Sequence, residues 1–184
     1  FSQPYPVVFV SRNLVQGGSI YYPQAGLLPG MGPFSRTKVV GGRLLVREAN
    51  GTIRVLVDST LNFSGITIVD VSDPCVYWNA AKIVFAGVEH RDSSWRIYEI
   101  RSDGTGFKKI TSTNRNISLS QFGPIAPKFV KYDDIDPCYL PDGRICFAST
   151  RYPALAEYSG ARTTNLYIID STSANIHRIT SERN

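Results

Sequence analysis

Short apolar runs recur along this chain, each flanked by polar stretches that contain glycine, asparagine or aspartate. Val7-Val-Phe-Val10, Leu44-Leu-Val46, Ile83-Val-Phe-Ala86, Ile145-Cys-Phe-Ala148 and Leu166-Tyr-Ile-Ile169 are three or four residues long, too short for helices. They are rich in Val, Ile, Tyr and Phe, which fit a pleated, half-buried surface, so each predicts a strand. No segment of useful length repeats its apolar positions with the 3.6-residue period of a helix, and the pattern predicts an all-β chain. Asn50-Gly51, Asp103-Gly104 and Asp142-Gly143 stand between such runs and predict tight hairpin turns.

The runs are ordered in a repeat. Val71-Ser-Asp-Pro-Cys-Val-Tyr-Trp78 with Ile83-Val-Phe85 returns as Asp134-Ile-Asp-Pro-Cys-Tyr139 with Ile145-Cys-Phe147. A second module follows each: Arg96-Ile-Tyr-Glu-Ile100 with Lys108-Lys-Ile-Thr111, and Asn165-Leu-Tyr-Ile-Ile169 with Arg178-Ile-Thr180. Val7–Arg12 and Leu44–Val57 match the later parts of this unit. The chain therefore divides into a first partial unit over 1–58, a second over 59–114 and a third over 115–184. Each reads as four strands, A to D, with strand A following the Asp-Pro; the first unit lacks strand A. Four-stranded units in tandem predict the antiparallel blades of a β-propeller. A propeller closes with about 4–8 blades, so an incomplete propeller of about three blades predicts further blades beyond Asn184 or on another chain.

In such blades the A–B and C–D turns share one end of the disc, and the B–C and D–A connections share the other. The second set is long: Asn13–Gly42, Val88–Ser94 and Tyr152–Thr164 for B–C, with Ser59–Asp70 and Ser112–Lys131 for D–A. Binding concentrates on loops held by a rigid scaffold, so any function is expected at this loop-bearing end. An arginine follows strand B in every unit (Arg12, Arg91 and Arg151), while Asp73 and Asp136 open strand A, with Asp133 and Asp134 close by. These seven side chains are the candidate binding residues, a polar ring suited to an anion, a cation or a partner's loop. The structural alternative, favoured because the pattern repeats, is that each arginine latches onto aspartate or backbone carbonyls of the next blade.

Composition narrows the chemistry. Apolar residues make up 42% and charged residues 19%, a globular balance, and no apolar stretch is long enough to span a bilayer. The net charge of +5 is scattered, its densest run being Lys108-Lys109, so no nucleic-acid surface is expected. Cys75, Cys138 and Cys146 lack the spacing of a zinc, redox or haem-attachment motif; one disulfide among them is conceivable, with the pair left open. His90 and His177 stand alone, and no nucleophile elbow, phosphate-binding loop or dinucleotide fingerprint occurs. No catalytic residue and no metal ligand is identified.

Asp136-Pro137, Pro141-Asp-Gly143, Ile145-Cys-Phe147 and Ser149-Thr-Arg151 resemble the repeats of TolB-type propellers. Asp73-Pro-Cys-Val-Tyr-Trp78, Phe85-Ala-Gly-Val88, Ile97-Tyr-Glu-Ile100 and Asp103-Gly-Thr-Gly106 are similar to the propeller of the hydrazine synthase alpha-subunit family. The second resemblance implies an exported, periplasmic or extracellular haem protein, in which the propeller is a scaffold beside c-type haem domains and partner subunits. It places no haem and no catalytic residue in these 184 residues. The TolB-type resemblance alone implies a propeller that binds a protein or peptide without haem.

Overall fold

The computed structural model describes residues 5–13, 38–112, 114–115, 117–157, 160–170 and 175–181. Most of the Asn13–Gly42 loop thus lies outside the described residues. Its ends, Asn13 and Gly41, are joined by a 2.9 Å backbone hydrogen bond that fixes the entry to the next strand.

The apolar runs pair into three antiparallel sheets. The first holds β1 (Val7–Arg12), β2 (Gly42–Arg47) and β3 (Ile53–Val57), in that order. The second holds β4 (Asp70–Val76), β5 (Lys82–Val88), β6 (Arg96–Arg101) and β7 (Lys108–Lys109). The third holds β8 (Asp134–Tyr139), β9 (Ile145–Ser149), β10 (Asn165–Ile169) and β11 (Ile176–Arg178), again with sequence neighbours as spatial neighbours. This meander is the blade the repeat predicts, and among the described residues the first sheet has three strands, without an innermost one. Gly51, Gly104 and Gly143 have φ of 88°, 90° and 87°, the left-handed backbone that the Asn-Gly and Asp-Gly turns require.

The blades stack face to face through side chains that alternate along each strand. Ile83 and Phe85 of β5 join Leu44, Val46, Leu56 and Val57 between the first and second blades. Val84, Ala86 and Val88 project from the opposite face of β5 and pack with Ile145, Phe147, Tyr167 and Ile169 of the third blade. From Ile83 to Val88 the central strand is therefore free of polar side chains, because both its faces are covered. Gly87 is the exception in that strand: a Cβ there would stand 3.0 Å from the Tyr98 ring, which fills its place.

Two departures from the sequence expectation stand out. The Asp-Pro pairs lie inside strand A, not before it. Register slips between Ser72 and Cys75 opposite β5, and between Ile135 and Cys138 opposite β9. Asp73 and Asp136 occupy these bulges, each with φ of 51°. An extra residue lets the strand bend at one depth in both blades, and aspartate tolerates the left-handed backbone better than most side chains. The second departure is the D–A connection of the second blade, where Ser120–Phe129 forms a 3₁₀ segment. Pro124 and Pro127 break any 3.6-residue rhythm there, and Gly123 turns the backbone at φ 51°.

Candidate functional site

The loop-bearing end is built on ion pairs whose partners differ from blade to blade. Arg12, the last residue of β1, reaches across to Asp70 at the start of β4. Its Nε donates to Oδ1 at 2.9 Å and its Nη2 to Oδ2 at 2.8 Å, while Nη2 also donates to the Lys38 carbonyl. The Asp70 side chain is fully buried and the Arg12 side chain 4% exposed. Such a fork is the strongest ion-pair geometry the side chains offer. Asp70 also accepts the Val40 amide at 2.8 Å, which ties it to the approach of β2. Gly42 makes the room: a Cβ there would lie 2.5 Å from Asp70 Oδ1 and 2.8 Å from Arg12 Cγ.

Asp133 occupies the position equivalent to Asp70 and plays the same inter-blade part, accepting the Trp95 amide of the second blade at 3.1 Å. Its cationic partner is Arg162, from the B–C loop of its own blade, at 3.0 Å. Arg151 turns inward within its own blade, onto Asp134 at 2.8 Å. Asp134 is further held by the Ser149 hydroxyl at 2.5 Å. Arg91 is exposed, in the loop after β5. The three arginines thus do not form a ring of equivalent side chains. Nor do Asp73 and Asp136 open strand A at this end; they sit at the bulges, and the acids that meet the loops are Asp70, Asp133 and Asp134.

Sequence reasoning also passed over the aromatic centre of this end. Tyr132 is buried and carries the guanidinium of Arg96 at 4.1 Å, Arg115 at 5.0 Å and Arg151 at 5.4 Å from its ring centroid. Arg96 donates to the Trp95 and Tyr132 carbonyls, and Arg115 to the carbonyls of Arg151 and Phe129. Burial raises the Tyr132 phenol above its ordinary value. Burial likewise lowers Arg115, with the Arg162, Arg151 and Arg96 guanidiniums pushing the same way. Guanidiniums keep their charge under such pressure, so positive charge is concentrated here.

Two open clefts result. One, of about 370 Å³ at the first junction, is lined by Arg12, Asn13, Arg43, Ser59 and Arg91 among others. The other, of about 790 Å³ at the second junction, is lined by Asn114, Arg115, Arg151, Tyr152, Tyr167 and Arg178 among others. The candidate residues therefore divide, with Arg12 and Arg91 at one cleft and Arg151 at the other. Among the described residues no group of three or more His, Cys, Asp or Glu side chains is arranged to hold a metal ion. No described helix is long and apolar enough to cross a membrane.

No protein-family profile matches the chain. The alpha subunit of hydrazine synthase from Kuenenia stuttgartiensis is 41% identical over 39 residues, which is 21% of this chain and 5% of that subunit. The solved hydrazine synthase of the same organism superposes over 91% of this chain and 21% of its own, with a TM-score of 0.58 at 19% identity. A TolB-type protein of Agrobacterium tumefaciens superposes over 77% of this chain and 39% of its own, with a TM-score of 0.51 at 14% identity. The fold is a TolB-like, hydrazine synthase-like propeller. The chain spans about a fifth of the hydrazine synthase chain it matches.

The residues of this propeller segment do not fit a covalently attached c-type haem. Such attachment needs Cys-x-x-Cys-His. Here Cys138 and Cys146 face each other across β8 and β9, Cys75 lies on β4, and neither His90 nor His177 follows a cysteine.

Proposed function

We propose that this chain is a non-catalytic propeller scaffold of an exported, periplasmic or extracellular haem protein resembling the hydrazine synthase alpha subunit. Its loop-bearing end docks a haem-bearing domain or a partner subunit. The observation that carries this reading is the superposition on hydrazine synthase over 91% of the chain, joined by the 41% identity over 39 residues. The geometry supports a scaffold role. At the loop-bearing end the buried Arg12–Asp70 fork and the Asp133 bond to the Trp95 amide lock blade to blade, and Arg151–Asp134 braces the third blade internally, which suits a rigid platform. Exposed groups such as Arg91 are left to meet a partner.

A second reading, a TolB-like propeller that holds a protein or peptide without haem, is favoured by the TolB-type superposition. The absorption spectrum of the protein purified from its native source separates the two. A Soret band with c-type α and β bands, together with a Cys-x-x-Cys-His elsewhere in the same polypeptide, supports the first reading. A haem-free spectrum from a polypeptide without that motif sinks it and leaves the second.

A further inference from the structure

The cleft at the second blade junction has more cationic character than the fold requires. Its volume is about 790 Å³, and Arg115, Arg151 and Arg178 line it with no acidic residue among the described residues of its walls. Within reach of Tyr132 and Asp133–Asp134 stand four guanidiniums, those of Arg96, Arg115, Arg151 and Arg162. Asp134 neutralises Arg151 and Asp133 neutralises Arg162. Arg115 has only backbone carbonyls as acceptors, and neither it nor Arg178 has a carboxylate partner among the described residues. Clustering like charges in a partly buried place costs free energy, and an anion between them recovers it.

The remaining lining is equally selective. The Arg178 guanidinium carbon stands over the Tyr152 ring at 4.0 Å from its centroid, and that of Arg151 stands 5.4 Å from the Tyr167 ring centroid. Stacking fixes the guanidinium plane and leaves its edge N–H groups to donate. Asn114 and Asn175 add amide side chains to the walls. Held forks and polar amides around an open space match the oxygens of a carboxylate or phosphate.

The geometry points to an oxyanion-binding site in this cleft, formed by Arg115 and Arg178 with Arg151 behind them, for a small ligand bearing carboxylate or phosphate. The cleft opens at the loop-bearing end, and its binding of an oxyanion does not depend on whether that end docks a haem domain. The ligand bridges the D–A loop of the second blade, which supplies Arg115, and the outermost strand of the third, which supplies Arg178.

Isothermal titration calorimetry of the whole protein at low ionic strength, with inorganic phosphate and with citrate as probes, tests this. Saturable binding of at least one probe is expected, and which probe binds tells phosphate from carboxylate chemistry. Arg178→Gln is expected to weaken that binding roughly tenfold, since it removes a charged donor. The bound probe is also expected to raise the thermal midpoint above that in chloride of equal ionic strength. Arg144→Gln, at the opposite end of the blade, leaves both readouts unchanged. No saturable heat with either probe, or binding that survives Arg178→Gln undiminished, overturns the site. Arg115→Gln is a second test. Should loss of its carbonyl contacts unfold the protein, Arg178→Gln decides alone.

Discussion

The phenolic hydroxyl of Tyr139, on the innermost strand of the third blade, donates at 2.7 Å to Oε2 of Glu99, on β6 of the second. Lys82 meets the same oxygen at 3.0 Å and Lys108 meets Oε1 at 2.9 Å. This carboxylate joins two blades at the tight-turn end, as Asp70 and Asp133 do at the loop-bearing end. A hydrogen bond to a buried charged group contributes about 1.5–3 kcal/mol. Tyr139→Phe is therefore expected to lower stability by about that amount. Urea denaturation reads it as a lower midpoint with an unchanged slope.

The same acid sets a pH dependence. Burial alone would raise Glu99, but hydrogen bonds from Tyr139, Lys108 and Lys82 outweigh it and hold the carboxyl below its ordinary value. Glu89 is likewise lowered, burial being overcome by Lys109 and Tyr98. A folded value below the unfolded one means that the folded state binds fewer protons through the acid range. Their stabilisation is complete above the unfolded value of 4.5 and is lost as pH falls through the folded values. Denaturation midpoints are expected to fall from about pH 5 downward, and Glu99→Gln is expected to make that fall shallower. A midpoint that rises on acidification contradicts the assignment.

Arg12 and Arg91 provide a contrast within one cleft. Arg12→Leu strands the fully buried Asp70 carboxylate and is expected to cost about 3–5 kcal/mol. Arg12→Leu combined with Asp70→Leu is expected to recover much of that loss. Arg91 is exposed, and Arg91→Ala is expected to change stability by less than about 0.5 kcal/mol. Thermal or chemical denaturation of the three variants checks the order.

The cysteines give a chemical readout. Although Cys138 is exposed as a residue, desolvation of its sulfur, with Cys146 and Cys75 close by, raises its thiol above the ordinary value. Less thiolate at a given pH means slower alkylation. Iodoacetamide is expected to label Cys138 more slowly in the folded protein than in urea, and Cys146→Ser with Cys75→Ser is expected to narrow the difference. Mass spectrometry of the labelled peptides measures both.

The blades were legible because their strands and turns are local. The runs Ile83–Ala86 and Ile145–Ala148 carry their own β preference, and the Asn-Gly and Asp-Gly turns need nothing beyond themselves. The site was less legible because face and reach depend on offsets of one residue. Arg12 falls three residues after Phe9, Arg151 four after Phe147 and Arg91 six after Phe85. In an extended chain one residue reverses the side to which a side chain points, so similar arginines take unrelated roles. The bulge at Asp73 and Asp136 likewise displaces the acids that begin strand A. A signal was nonetheless present: Gly41-Gly42 at the start of β2, and the Tyr132-Asp133-Asp134 triplet at the start of β8, mark close approach and buried charge.

The bulged Asp-Pro has one more consequence. β4 and β8 are the inner rims of their sheets, where unpaired backbone N–H and C=O groups invite a foreign strand. Pro74 and Pro137 remove a donor at the point where the rim also bends. At the outer rims, β7 is only Lys108-Lys109 and β11 only Ile176–Arg178. Both margins of each four-stranded blade are thus poor templates for recruitment of a foreign strand.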